Sequence, residues 1–221
     1  MNILYKISVA IILAVLICIT SGFAQISVRK DNSVVLAAKG NCKKITEFFL
    51  DAFILANNPG GLIAIQNSCP ENVVFPDYKP EELSFRKRLE LITQMNPNYK
   101  LEDEQGVTNL VPTKSIPELL NVKIHNLKIA FDTNLDPALN EILRLPEVVE
   151  KLQELHLRRG MQFGGLQSPP SKRPPTEMEF KDRTLRQILN EIVRKRGRGV
   201  WVYNEFNYNG ENSFSLEFLV Q

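Results

Sequence analysis

The sequence predicts an α+β fold of two small βαββ-type modules, each with helices packed on a small mixed sheet. Three observations carry this expectation. Apolar residues at helical spacing alternate along the chain with short β-branched and aromatic runs. A pattern of cap, helix and hairpin near residue 84 returns near residue 184. The 221 residues are 43% hydrophobic and 24% charged, which is enough apolar material for a core and excludes a wholly disordered chain.

Residues 1–24 read as a Sec-type export signal. Lys6 precedes a mainly apolar run from Ile7 to Ile19, shorter than the roughly 20 residues of a spanning helix. Gly22 and Ala24 then supply the small residues that a signal peptidase reads. Cleavage would fall before Gln25, and retention as an N-terminal anchor is the alternative. Bulky Ile17 ahead of Cys18 argues against a lipoprotein signal. The chain is therefore expected in the periplasm or outside the cell, with no transmembrane segment after cleavage. Loss of Lys6 leaves 26 basic and 25 acidic side chains, so net charge selects no partner class.

The first module, residues 25–114, opens with a strand at Ser33 to Ala38. A helix follows from about Asn41, with Ile45, Phe48, Phe49, Ala52, Phe53 and Ala56 on one face, and ends before the turn-like Asn57-Asn58-Pro59-Gly60-Gly61. Leu62 to Ile65 and Val73 to Phe75 read as strands. Ser84 caps a helix over Phe85 to Met95 that Pro97 stops. Tyr99 to Asp103 and Val107 to Val111 form a hairpin around Glu104-Gln105-Gly106.

The second module, residues 115–221, begins with a strand at Val122 to Phe131. Asp136-Pro137 and Pro146 open two short helices, the second through Leu155. Gly160 to Glu177, with Gly164-Gly165, Pro169-Pro170 and Pro174-Pro175, reads as an extended loop. Thr184 and Gln187 form a capping box for a helix carrying Leu185, Ile188, Leu189, Ile192 and Val193 and ending at Gly197. Val200 to Tyr203 and Ser213 to Leu219 make the closing hairpin, with Asn209-Gly210 at its turn.

Export leaves two cysteines, Cys42 and Cys69, in a compartment that permits disulfides. A helix of about fifteen residues and a returning strand cover similar distances, so the two ends come back together and a structural bridge is expected. A redox pair would have its cysteines two residues apart, and a zinc site needs more ligands than these cysteines and two scattered histidines supply. Neither a metal nor a cofactor is expected.

At an offset of one hundred residues Ser84, Phe85, Arg86, Leu89 and Ile92 match Thr184, Leu185, Arg186, Leu189 and Ile192, which suggests an internal duplication. Strand, Ser or Thr cap, helix with Leu89-x-x-Ile92 or Leu189-x-x-Ile192, aromatic strand and hairpin together resemble the short N-terminal domain of secretins and TonB-dependent receptors. The resemblance covers Glu82 to Val111 and, more weakly, Glu179 to Leu219. It implies a small periplasmic module that makes protein contacts and performs no catalysis.

No G-x-S-x-G, H-E-x-x-H or G-x-x-x-x-G-K-[ST] occurs in the chain, so three common enzyme classes lack their usual signature. His125 lies in a strand, and His156 sits at a helix C-terminus where the dipole favours it. Glu102-Asp103-Glu104 reads as a solvated turn. The residues from Lys151 to Val200 hold twelve Lys and Arg against five Asp and Glu. Within them Arg194, Lys195, Arg196 and Arg198 directly precede Trp201 and Tyr203, whose side chains share one face of their strand. Cations beside exposed aromatics suit an anionic polymer or a glycan. The function expected is that of a non-enzymatic envelope adaptor. Its partner would be an outer-membrane or secretion component, or an anionic envelope polymer, and not nucleic acid. A secreted glycan or peptide hydrolase with unidentified carboxylates is the alternative.

Overall fold

The computed structural model describes residues 49–53, 56–65, 83–132, 134–160, 175–208 and 210–219. Residues 49–53 are helical, and β1 (Pro59–Ile65) follows. Then come α1 (Phe85–Met95), β2 (Tyr99–Glu104), β3 (Val107–Pro112), a 3-10 turn at Glu118–Asn121 and β4 (Lys123–Phe131). The chain continues through α2 (Asp136–Ile142), α3 (Pro146–Glu154), β5 (Arg158–Arg159) and β6 (Thr176–Thr184). It closes with α4 (Leu185–Arg196), β7 (Gly199–Tyr208) and β8 (Glu211–Leu219). The expected strands at Ser33 to Ala38 and Val73 to Phe75 lie outside the described residues, as do Cys42 and Cys69. So do residues 41–48 of the first helix and residues 161–174 of the loop.

The fold is α+β with a mixed sheet. Six strands run in the order β2-β3-β1-β7-β8-β5, and β4 pairs with β6 in a separate antiparallel ribbon. One small sheet per half was expected. Instead β1 lies parallel to both β3 and β7, so strands from both sides of residue 114 complete one sheet. The physical reason is that β1 is apolar on both faces: Leu62 and Ile63 are both fully buried. Such a strand is stable only with pairing on both edges and cover on both faces.

Alternation along β1 sorts the core into two layers. Leu62 packs with Phe49, Phe53, Leu89, Ile92, Leu110, Val200 and Val202 beneath the first helices. Ile63 packs on the other face with Val107, Trp201, Tyr203, Phe214 and the apolar side of α4. The same layer includes Ile124, Leu127, Ile129, Phe131 and Phe180 of the ribbon. No helix among the described residues is long and apolar enough to cross a membrane.

Local chemistry fixes most element ends. Ser84 Oγ accepts from Lys87 N at 3.3 Å to start α1. Thr184 and Gln187 close a reciprocal capping box on α4, which ends at Gly197 with φ +76°. Such a left-handed residue carries no penalty when it is glycine. The β2–β3 turn places Gln105 at φ +55° and Gly106 at +77°, the mirror-image geometry that follows strand twist.

Two sequence expectations change. Gly60-Gly61 was read as part of a turn, yet both belong to β1. A Cβ on Gly61 would overlap the Asn109 carboxamide and the Trp201 indole, so glycine there permits a close approach within the sheet. The loop expected over Gly160 to Glu177 overlaps β6, which begins at Thr176. Phe180 is its only buried residue, so the alternation that marks a strand is faint.

Candidate functional site

The basic cluster is assembled at the C-terminal end of α4. The helix buries Leu185, Ile188, Leu189, Asn190, Ile192 and Val193, which leaves the last-turn cations on its outer side. Their positive charge also complements the negative end of the helix dipole. Arg194 Nη2 lies 3.4 Å from Glu191 Oε1 one turn back. Arg196 is half-buried and donates from Nη1 to the Asp132 carbonyl at 3.3 Å. Its Nε is buried with no hydrogen-bond partner among the described residues. Burial, together with the like charge of Arg198, pulls the Arg196 guanidinium below its ordinary pKa. Lys195 and Arg198 are exposed, and neither joins an ion pair among the described residues. The cluster therefore divides into one anchoring cation, one paired cation and two open ones.

Trp201 and Tyr203 do not join that surface. They share one strand face as expected, but that face is the inner one, and both side chains are fully buried. The reason is α4, which lies across β7 and supplies a polar partner to the indole: Trp201 Nε1 donates to Asn190 Oδ1 at 2.7 Å. A buried indole N–H without such a partner would be costly. Cations and aromatics adjacent in sequence are thus separated into solvent and core.

Asn190 opens a network that the sequence did not reveal. Its Nδ2 donates to Glu104 Oε2 at 3.0 Å. Arg186 reaches the same carboxylate from Nε at 2.8 Å and Glu102 Oε2 from Nη1 at 3.0 Å. Only 13% of the Arg186 side chain is exposed. Lys100 Nζ lies 2.8 Å from Glu102 Oε1, and that hydrogen bond, with Arg186, holds the Glu102 carboxyl below its ordinary range despite partial burial. Glu102 and Glu104 were expected in a solvated turn. Strand alternation instead turns both toward α4, whereas Asp103 stays outside and accepts from Thr108 Oγ1 at 2.6 Å.

The histidines stand apart from these groups. His125 Nδ1 lies 3.0 Å from Asp182 Oδ1, with Lys123 Nζ 3.1 Å from the same oxygen. These two neighbours hold the Asp182 carboxyl below its ordinary range, His125 contributing most. Asp182 has φ +50°, uncommon for a non-glycine residue inside a strand. His156 is exposed just beyond α3, also at φ +50°.

A cleft of about 470 Å³ opens on another part of the surface, lined by Ile65, Ile116, Leu155, Phe206, Glu118 and Glu205 among others. The Tyr203 hydroxyl donates to Glu205 Oε1 from below. Burial, reinforced by that carboxylate, raises the Tyr203 pKa, so the phenol remains a donor across the physiological range. Glu118 lies 3.7 Å from Lys151 Nζ. No group of three or more His, Cys, Asp or Glu side chains able to hold a metal ion occurs among the described residues. Comparison with family models, with curated proteins and with solved structures found no match to this chain.

Proposed function

We propose that this chain is a non-enzymatic binding module exported to the cell envelope, and that the basic end of α4 engages an acidic surface of an envelope, outer-membrane or secretion component. The observation that carries this reading is the pair of exposed cations, Lys195 and Arg198, with no acidic partner among the described residues. Such charges favour encounter with an acidic partner and cost nothing to desolvate until it arrives. The resemblance of Glu82 to Val111 to the short N-terminal domain of secretins and TonB-dependent receptors points toward protein contacts as well. The matching order of cap, helix and hairpin at α1 and α4 is read as an internal duplication. The Cys42 to Cys69 bridge is part of the same proposal, since an oxidising compartment would preserve it.

The test replaces Arg194, Lys195 and Arg198 by Glu and spares Arg196, which is tied to the Asp132 carbonyl. Retention of the exported protein on immobilised detergent-solubilised envelope, and on an anionic matrix, is expected to fall at least about tenfold. Wild-type retention should weaken with added salt. Retention equal to wild type in the triple variant would overturn the proposal.

The hydrolase alternative draws on one observation, the presence of Glu118 and Glu205 in the same cleft. Both carboxylates are engaged, by Lys151 and by the Tyr203 hydroxyl, and this favours binding over catalysis. Glycan or peptide hydrolysis by wild type and its loss in Glu205→Gln would reverse that order.

A further inference from the structure

We infer that two copies of this chain associate through the outer edge of β6, pairing antiparallel about a two-fold axis at Phe180. This proposal does not depend on the partner proposed for the basic end of α4.

Hydrogen bonding inside the ribbon shows which backbone groups face outward. β4 and β6 pair with Ile124 opposite Arg183, Leu127 opposite Phe180 and Lys128 opposite Glu179. Leu185 N donates to the Val122 carbonyl at 2.9 Å, which places odd-numbered residues of this strand in the bonded positions. The intervening pairs are not bonded to each other: Thr184 N donates to Gln187 Oε1 and His125 N to Glu147 Oε1. The amide and carbonyl of Met178 and Phe180 therefore point away from β4. A depression of about 360 Å³ lies along this edge, bounded by Glu179, Phe180, Lys181, Arg183 and Glu191. Among the described residues no strand pairs with this edge, and such an edge is a template for another strand.

The side chains specify which strand fits. Reading outward from Phe180, β6 carries Glu179 and Glu177 on one side and Lys181 and Arg183 on the other. All four are exposed; Asp182, at φ +50° between Lys181 and Arg183, is exposed as well, but the pairing register with β4 is the same on both sides of it. A two-fold axis at Phe180 sets Glu179 opposite the second copy's Lys181 and Glu177 opposite its Arg183, each contact occurring twice. These are non-hydrogen-bonded positions of the new pair, where opposed side chains approach most closely. The axis also puts Phe180 in a bonded pair with itself, which its outward amide and carbonyl require. The strand is thus complementary to its own reverse, and a parallel copy in register would oppose like charges at every one of these positions.

Within one chain these charges are only loosely satisfied. Glu179 lies 3.7 Å from Lys128 and 3.3 Å from Lys181, and both contacts are exposed. Glu177 and Arg183 join no ion pair among the described residues. The short edge makes the association weak, and its ion pairs make it sensitive to salt.

The experiment is sedimentation of the exported protein across a concentration series, with two charge-reversed variants. E177K/E179K gives the four facing positions a positive charge, and K181E/R183E gives them a negative one. Each variant alone should dimerise at least about tenfold more weakly than wild type, because like charges then face each other. An equimolar mixture of the two should recover dimer as a heterodimer, which a folding defect would prevent. A wild-type chain that remains monomeric throughout the series would overturn the proposal. So would dimers that persist in both variants, or a mixture that fails to recover them.

Discussion

Helices α1 and α4 share their cap type and their apolar positions, yet they occupy opposite faces of the sheet at different depths. Arg86 and Arg186 stand at matching places, second in each helix. Arg86 is 90% exposed and, among the described residues, pairs with Glu90 at 3.3 Å on its own helix. Arg186 is 13% exposed and bridges two carboxylates of β2. Likewise α1 buries Leu89 and Ile92, whereas α4 buries six residues, Asn190 among them. Cap and spacing therefore specify that a helix forms, and the surface opposite it decides what each polar residue does. α4 lies across the central strands and meets an indole and two carboxylates there.

The largest way to break this contrast is to remove the indole. Trp201→Ala deletes a fully buried side chain and leaves Asn190 Oδ1 without its donor. A loss of about 4 kcal/mol is expected from urea unfolding. A loss near 1 kcal/mol would mean that the indole is not enclosed.

Next is the arginine pair itself. Arg186→Ala removes the cation shared by two partly buried carboxylates, leaving Glu102 with Lys100 and Glu104 with Asn190, and should cost about 2 kcal/mol, less than a fully enclosed pair because about a quarter of the Glu102 side chain remains exposed. Arg86→Ala should change stability by less than about 0.5 kcal/mol. Equal effects would remove the distinction between the two helices.

The smallest effect is in acid. Lys100 and Arg186 hold the Glu102 carboxyl below its ordinary value of 4.5, so the ion pair contributes fully above that value. Its contribution is lost as pH falls through the lower native value. Between about pH 6 and about pH 3 the urea midpoint should therefore drop more in wild type than in Arg186→Ala.

The elements with strong local chemistry were legible in the sequence. Ser84, the Thr184-Gln187 box, Gly197 and Gln105-Gly106 each act within a few residues, so their signals survive without the fold. Pairing of β1 with both β3 and β7 was not legible, since it joins segments more than forty residues apart on either side. β6 escaped because charges occupy its whole outer face and only Phe180 is buried. Of the six candidate residues, Arg194, Lys195 and Arg198 are exposed at α4's end, Arg196 is half-buried against the Asp132 carbonyl, and the two aromatics lie in the core. The alternation that put Trp201 and Tyr203 on a common face says nothing about which face is covered. Asn190 and Arg186 carried no signal as a network, because each is an ordinary helix residue until β2 and β7 are brought beside it.

Trp201 is the chain's only tryptophan, so its fluorescence reports a single site at the join of α4, β1 and β7. Acrylamide quenching compared between native and urea-unfolded protein tests the central claim that α4 takes the aromatics into the core and leaves the cations outside. Strong protection in the native state, unchanged in the Arg194, Lys195 and Arg198 triple variant, is the result expected. Native quenching as efficient as in the unfolded chain would contradict it and return Trp201 to the surface.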